Sequence, residues 1–335
     1  MPKSPARPRR QGLILLVCTG LLAGALSGCD RPAKPESSLE VAARSVQTGA
    51  LSRDGNWALV GSSYHGGSLW QLDERERLYD WNHKQDSYTL ITSASFSTDG
   101  RRALTTDERT LVLWNTDTGE AEQYWSSPSE ILTSSLGPDG RVALLGLGDY
   151  RASLYNVGGG GIIRNFHHSD RVSTVALSGD GRYAVSGSDA GTATLWNAET
   201  GEPVASEQHD APVQLVRLSS DGELVLSSGR YEKARLWTRE GVVWELPLPE
   251  ERVKRGLRII SARFSDDGAY LLTGMPNGRV FLWDIDNRRL VYRWQLPKRK
   301  AWHPTAVSVI DVAFTEDPDR YRALSSEGFV HDLTY

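Results

Sequence analysis

Short apolar stretches alternate with polar turns along most of this chain, at regular spacing. Six of the turns carry an Asp-Gly pair, at Ser52–Gly55, Ser97–Gly100, Gly137–Gly140, Ser178–Gly181, Ser219–Gly222 and Ser265–Gly268. Fourteen or fifteen residues after each glycine comes an aromatic residue: Trp70, Trp114, Tyr155, Trp196, Trp237 and Trp283. Because Asp-Gly turns supply the positive φ with which adjacent antiparallel strands reverse, the pattern predicts successive hairpins and an all-β fold.

Successive aromatic residues of this pattern stand 41 to 46 residues apart. A seventh copy, Phe314–Pro318, has lost the Asp-Gly pair, and Leu333 takes its aromatic position. A repeat of about 40–45 residues with four strands resembles the WD repeat, over residues 39–335. The resemblance implies a seven-bladed WD-repeat β-propeller. Six or eight blades are less favoured, because three inner strands can be counted seven times.

The two ends of the repeat array predict how the ring closes. The seventh copy stops at Tyr335 without a fourth strand, whereas the strand-like residues 39–44 precede the first copy and belong to none. We predict that this N-terminal strand completes the last blade, which protects two sheet edges that would otherwise stay open.

The fourth copy is nearest to the family pattern. In WD repeats a His, a Ser or Thr, a turn Asp and the Trp form a hydrogen-bonded tetrad, and the resemblance assigns these structural roles to His168, Ser186, Asp189 and Trp196. The fifth copy keeps His209 and Trp237 but departs from the pattern with Tyr231-Glu232 at its turn.

The N-terminus has the features of an export signal. Residues 1–12 carry four basic residues and no acid, and an apolar run follows that is too short for a comfortable membrane span. The run ends in Leu26-Ser-Gly-Cys29, which resembles the lipobox of bacterial lipoproteins. The resemblance implies a signal peptide over 1–28, lipidation of Cys29, a tether over 29–38 and the propeller over 39–335; an ordinary signal peptide or signal anchor is the alternative.

The same resemblance predicts a lipid-anchored protein of the cell envelope. Asp30 favours the periplasmic face of the inner membrane, while Arg31 and Pro32, which other bacteria read, leave the outer membrane open. Several acyl chains give stable anchoring where a single chain is marginal. The only other cysteine, Cys18, leaves with the signal, so no internal disulfide is expected.

Charge argues against nucleic-acid binding. The formal net charge is −4, and the first 28 residues contribute +4, so the remainder stands at −8. Nucleic-acid binding normally needs a net basic surface. We therefore expect a protein or peptide partner, contact with the membrane only through the anchor, and a monomeric propeller.

No catalytic motif is recognisable. The chain has no phosphate loop and no Gly-x-Ser-x-Gly elbow, and Asp284–Asn287 lacks the Gly and Glu of a calcium loop. We expect no catalytic residue, no cofactor and no metal. Histidines of different blades could nevertheless converge at the central channel of a metal-dependent envelope hydrolase or lactonase, and that alternative stays open.

Two basic segments form a candidate binding rim. Both connect the outer strand of one repeat to the next repeat, where the aromatic spacing lengthens to 46 and 50 residues. The candidate residues are Arg252, Lys254, Arg255, Arg258, Lys298, Arg299, Lys300 and Trp302. Loops on rigid scaffolds commonly carry function, although a solvated charge run explains the same sequence.

The sequence therefore predicts a membrane-tethered, non-enzymatic scaffold that presents one propeller rim to a protein or peptide. An envelope hydrolase with a channel metal is one alternative. An accessory lipoprotein of envelope assembly or sensing is another.

Overall fold

The computed structural model describes residues 31–84, 87–248, 256–299 and 306–335. These residues form 28 strands in seven four-stranded antiparallel sheets. Strand β1 is Ser37–Glu40. Blades one to three contain β2 Val46–Leu51, β3 Trp57–Ser62, β4 Gly66–Gln71, β5 Glu76–Trp81; β6 Ser93–Phe96, β7 Arg102–Thr106, β8 Thr110–Asn115, β9 Ala121–Ser126; and β10 Ile131–Leu136, β11 Val142–Leu147, β12 Arg151–Asn156, β13 Ile162–His167.

The remaining blades follow the same order. Blades four to six contain β14 Val172–Leu177, β15 Tyr183–Ser188, β16 Thr192–Asn197, β17 Pro203–Gln208; β18 Val213–Leu218, β19 Val225–Gly229, β20 Arg235–Thr238, β21 Gly241–Glu245; and β22 Ser261–Phe264, β23 Tyr270–Gly274, β24 Arg279–Asp284, β25 Arg289–Gln295. Blade seven contains β26 Val309–Phe314, β27 Arg320–Ser325, β28 Phe329–Thr334 and, beyond β28, strand β1.

The first strands of the blades pack side by side in a ring, with β2 next to both β6 and β26. These are the inner strands, and the fourth strand of each blade is the outer strand. The predicted seven-bladed all-β propeller is therefore confirmed. The ring closes as expected, because the N-terminal β1 pairs antiparallel with β28, with Leu39 opposite Val330.

The closing strand lies earlier in the chain than residues 39–44. It spans Ser37–Glu40, while Val41 and Ala42 both donate from their backbone N–H groups to the carbonyl of Gly328 and lead into β2. The chain needs these residues to cross from the outer edge of blade seven to the inner strand of blade one. The sequence pattern did not show where the strand ends, because Val41 and the two alanines after it are as apolar as residues within a strand.

The expected tether is also shorter at its C-terminal end. Ala33 donates to the Arg293 carbonyl at 2.9 Å and accepts from the N–H of Gln295 at 2.8 Å, so it pairs with the outer strand of blade six. The compact unit of the propeller begins at Pro32. Residues 32–38 therefore pack on the propeller, because the outer edge of blade six offers unpaired backbone groups.

The Ser-x-Asp-Gly turns explain why the repeats share these residues. In blade four the Ser178 hydroxyl donates to Asp180 at 2.7 Å and accepts from the backbone N–H of Tyr183 at 3.0 Å. Gly181 takes a φ of 74°, which side chains rarely adopt. The hydroxyl thus satisfies the turn internally, and the next strand starts at a fixed position.

Candidate functional site

Alternation of strand direction divides the loops between two faces of the ring. The connections from an outer strand to the next inner strand lie on one face, together with the turns between the second and third strands of each blade. We call this the connector face, and the opposite one, which carries the Asp-Gly turns, the turn face. The described residues of the predicted binding rim, Arg258, Lys298 and Arg299, belong to connectors of this face.

A group of exposed apolar side chains lies on the connector face at blades one and two. Tyr64 is 49% exposed, Tyr88 67% and Leu90 57%. The guanidinium of Arg44 lies 4.4 Å from the ring centre of Tyr64, and His65 meets Tyr88 edge to face at 6.0 Å between ring centres. These five residues, here called the tyrosine patch, were not identified from the sequence, because isolated tyrosines in loops follow no period.

Two further tyrosines of the connector face have left-handed backbones. Tyr150 has a φ of 71° and Tyr231 a φ of 67°, and both are about half exposed. Tyr150 stands five residues before its blade's aromatic position, where blades four, six and seven have glycines with φ between 74° and 85°. A non-glycine residue in this conformation costs about 1–2 kcal/mol, and such strain concentrates at binding sites.

Of the predicted binding rim, only Arg258, Lys298 and Arg299 lie within the described residues; Arg252, Lys254, Arg255, Lys300 and Trp302 lie outside them. Lys298 is exposed, as a binding residue should be. Arg299 instead contacts the closing strand: its guanidinium donates to Glu40 at 2.9 Å, to the Ala42 carbonyl at 2.8 Å and to the Glu327 carbonyl. Arg299 thus holds the closing strand in place, and its predicted role in binding stays a prediction.

Three of the four residues assigned to a tetrad in blade four are joined by hydrogen bonds. The Ser186 hydroxyl lies 2.7 Å from Nε2 of His168 and accepts from the indole N–H of Trp196 at 2.8 Å. The carboxylate of Asp189 makes no hydrogen bond or ion pair to any residue that the structure describes. In blade four the expected tetrad is thus a triad without Asp189.

Complete tetrads occur in blades two and five. In blade five Ser227 lies 2.8 Å from Nε2 of His209, Trp237 donates to Ser227 at 2.9 Å, and Glu232 lies 2.9 Å from Nδ1 of His209. Glu232 therefore does what the family's Asp does, because its longer side chain offsets its shifted position.

The blade-two tetrad was not identified from the sequence. Thr105 contacts both His83 and Trp114, at 2.9 and 2.8 Å, while Nδ1 of His83 lies 2.8 Å from the Thr110 hydroxyl and 3.4 Å from Asp107. His83 precedes Thr105 by 22 residues, against 18 between His168 and Ser186, so the longer connector obscured the pattern. A search for a histidine just after each outer strand would have found it.

Burial keeps these histidines neutral. It lowers the pKa of His168 to about 4, with help from the neighbouring His167, and lowers the pKa of His331 to about 4. Burial also lowers the pKa of His83 and His209, against the opposing effect of Asp107 and Glu232. Neutral rings can accept one hydrogen bond and donate another, as the tetrads require.

The inner strands enclose an axial channel with a cavity of about 570 Å³. None of its lining residues is a histidine or a cysteine. Among the described residues no three His, Cys, Asp or Glu side chains are grouped so as to hold a metal ion. Within the same part of the chain, no helix is long and apolar enough to cross a membrane.

Two segments of the chain, residues 160–197 and 254–284, match the family described as "WD domain, G-beta repeat". Among curated proteins, none matches the chain significantly. Many solved structures share its fold, among them the β-propeller domain of Cps50 (Swd1) from Myceliophteria thermophila, with a TM-score of 0.72 and 15% identity over 91% of this chain and 100% of that chain. The chain is thus a seven-bladed β-propeller, and two of its segments are similar to WD40 repeats.

Proposed function

We propose that this protein is a membrane-tethered, non-enzymatic scaffold whose tyrosine patch binds an extended, acidic and apolar segment of a protein partner. The observation that carries the proposal is the exposure of Tyr64, Tyr88 and Leu90 on the connector face, where Arg44 stacks on Tyr64 and His65 contacts Tyr88. Tyrosine and arginine are the residues most enriched among binding hot spots, since they combine apolar area with hydrogen bonding.

The cations of the connector face favour an acidic partner. Arg44 stacks on Tyr64 and Arg230 stacks on Tyr231 at 5.0 Å, and neither arginine forms an ion pair with any described residue. A carboxylate placed beside either ring would gain a charge-assisted hydrogen bond while an apolar neighbour covers the tyrosine. Lys298, exposed on the same face, extends this preference.

The chain enters the propeller at its outer circumference, where Ala33 pairs with β25. A lipid anchor at Cys29 would lie only a few residues away, so both faces of the ring would stay accessible to a partner. This arrangement suits a tethered scaffold of the cell envelope, with the inner membrane favoured by Asp30.

A photoreactive amino acid placed at position 64 or 88 in cells tests the binding site. Both positions should crosslink the same partner, whereas position 270 should not, since Tyr270 is 40% exposed on the turn face. A peptide from the crosslinked region should then bind the purified protein, and Tyr64→Ala or Tyr88→Ala should weaken binding by about 30-fold, which corresponds to about 2 kcal/mol.

Tyr270→Ala is the matched control and should leave the affinity unchanged. Tyr150→Gly is a further variant for the same binding measurement. It should preserve the fold, because it gives blade three the glycine that blades four, six and seven carry at this position. Equal affinities for Tyr64→Ala, Tyr88→Ala and Tyr270→Ala would contradict the patch.

The anchor is tested separately by metabolic labelling with a fatty acid. The wild-type protein should carry the label and sediment with membranes, and Cys29→Ser should lose both properties. A Cys29→Ser protein that still sediments with membranes would contradict the lipid anchor, without bearing on the tyrosine patch.

A further inference from the structure

The wall of the axial channel is rich in hydroxyl groups. Innermost strands of all seven blades contribute to it, and its volume of about 570 Å³ lies in the range of small-molecule sites. The hydroxyl-bearing residues of the wall include Thr48, Ser95, Thr133, Ser135, Ser173 and Thr174. A wall of this kind offers hydrogen-bond donors and acceptors to a polar occupant.

Two neighbouring blades place arginines at one level of the channel. Arg217 and Arg263 each stand two residues before the serine of their Ser-x-Asp-Gly turn. The corresponding residues of blades one to four also line the channel and are small: Ala50, Ser95, Ser135 and Ala176. Small side chains on the other blades leave space at the level of the two guanidinium groups.

The two arginines differ in their partners. Arg263 forms an ion pair with Asp311 at 3.0 Å and donates to the carbonyls of Leu51 and Ser52. Arg217 donates only to carbonyls, from Nε to Ala262 at 3.1 Å and from Nη1 to Val216 at 2.8 Å. Among the described residues, no carboxylate forms an ion pair with Arg217, and its Nη2 has no protein acceptor.

The interior of the channel therefore carries an uncompensated positive charge. Arg217 and Arg263 give two positive charges against the single carboxylate of Asp311, while Arg53 and Asp266 near the Asp-Gly turns neutralise each other at 2.6 Å. Burial lowers the pKa of Arg217, the charge of Asp311 opposes this and the charge of Arg263 adds to it, yet an arginine does not give up its proton in a protein. A charge held this deep favours a counter-ion.

We propose that the channel binds a small oxyanion, a carboxylate or a phosphate, through the Nη groups of Arg217. The free Nη donors meet two oxygens of one anion, as guanidinium groups commonly do. The surrounding hydroxyls of Ser135 and Thr174 replace part of its hydration. The site is distinct from the tyrosine patch, so its occupation and partner binding can be measured independently.

Inorganic phosphate and malonate are the two probes, titrated into the full mature chain by calorimetry at constant ionic strength set with sodium chloride. At least one of them should bind saturably and raise the thermal midpoint, and the one that binds more tightly identifies the source of the oxyanion. Arg217→Met should weaken that binding by at least about tenfold, while Arg53→Met should change it less than about twofold, because Arg53 already has Asp266.

Arg217→Lys retains the charge and replaces Arg217→Met in the test if that variant does not fold. It should bind the anion with an affinity between those of the wild type and Arg217→Met. A ³¹P NMR titration of the wild-type protein gives an independent measurement. Absence of saturable binding of both anions to the wild type, or equal affinity of wild type and Arg217→Met, would overturn the proposal.

Discussion

The carboxylate of Asp311, on the inner strand of the last blade, accepts a hydrogen bond from the backbone N–H of Leu51, on the inner strand of the first blade, at 2.9 Å. The two residues are 260 positions apart in the sequence. The same carboxylate oxygen contacts Arg263, which donates to the Leu51 carbonyl. These contacts join the two ends of the repeat array at the channel, while β1 joins them at the outer edge.

Equivalent contacts occur between consecutive blades. Ser93 accepts from the N–H of Ser134 at 2.9 Å, Ser135 from that of Leu177 at 3.1 Å, and Thr174 from that of Val216 at 3.1 Å. The inner strand of each blade is an edge with unpaired backbone groups, and side-chain oxygens of the preceding blade satisfy several of them. Asp311 completes this series where the ring closes.

Loss of Asp311 should therefore open the ring at its seam. Asp311→Ala should lower the free energy of unfolding by about 3–5 kcal/mol, because it leaves a buried N–H without an acceptor and Arg263 without its carboxylate. Asp311→Asn, which keeps an acceptor, should cost less. Urea unfolding measures both, and Asp266→Ala is the control, since its ion pair with Arg53 is exposed and should be worth less than about 1 kcal/mol.

Substitution of Arg299 should lower the free energy of unfolding, measured by urea unfolding, much more than substitution of its neighbour Lys298. Arg299→Ala should cost about 2–4 kcal/mol, because the guanidinium holds Glu40, Ala42 and Glu327 together and covers the ring of Phe329 at 4.5 Å. Lys298→Ala should change the stability by less than about 0.5 kcal/mol. Hydrogen exchange of β1 should accelerate only in the Arg299 variant; a variant of full stability with weakened partner binding would return Arg299 to the binding rim.

The family pattern would make Asp189 a stabilising member of the blade-four tetrad, whereas the structure predicts that its removal has little effect on stability. Asp189→Ala should be close to neutral, within about 0.5 kcal/mol, since its carboxylate has no partner among the described residues. Glu232→Ala should cost about 1–3 kcal/mol, because it removes the 2.9 Å contact to the buried His209. Thermal unfolding of the two variants compares them directly, and equal losses would show that the two blades do not differ.

Two histidines with lowered pKa, the half-buried His168 and the buried His331, should make stability fall with acidification. The pKa of His168 and of His331 is lowered by burial to about 4, from an ordinary value of 6.5. Below pH 6.5 the unfolded chain therefore binds protons that the folded protein excludes, and stability declines until about pH 4. Each histidine contributes a slope of up to about 1.4 kcal/mol per pH unit.

The pH dependence is measured by urea unfolding between pH 7 and pH 4.5. His168→Gln should reduce the slope by about one proton. A slope that is unchanged in His168→Gln would contradict the neutral state of His168 in the folded protein. Carboxylates with lowered pKa, such as Asp332 beside Arg322, lose their stabilising effect only at still lower pH.

Local chemistry made the blades predictable from the sequence. The Ser-x-Asp-Gly turns satisfy their own hydrogen bonds within a few residues, and their regular spacing fixed the number of blades. The seventh blade was still recognisable without its Asp-Gly pair, because Leu333 takes the buried position opposite Tyr321 that tryptophan takes elsewhere.

Contacts between distant segments were not predictable in this way. Glu232 replaces the family's Asp by reaching His209 from a shifted position, and the longer connector of blade two concealed His83. The role of Arg299 in closure depends on Glu40, which is 259 residues away. No local rule relates Arg299 to Glu40, since only the closed ring places them within hydrogen-bonding distance.

The amino-acid sequence by itself determined the hairpins, the repeat number and the expectation of a lipid anchor at Cys29, because each depends on residues that are near one another in the chain. It also predicted the closing N-terminal segment, because the seventh repeat lacks a fourth strand and the strand-like residues before the first repeat belong to none. The tertiary structure alone decided which tyrosines form an exposed patch, which arginine is tied to the seam, and which one faces the channel without a carboxylate. Those properties depend on what surrounds a side chain after the seven blades have closed, and burial and charge pairing are settled only then.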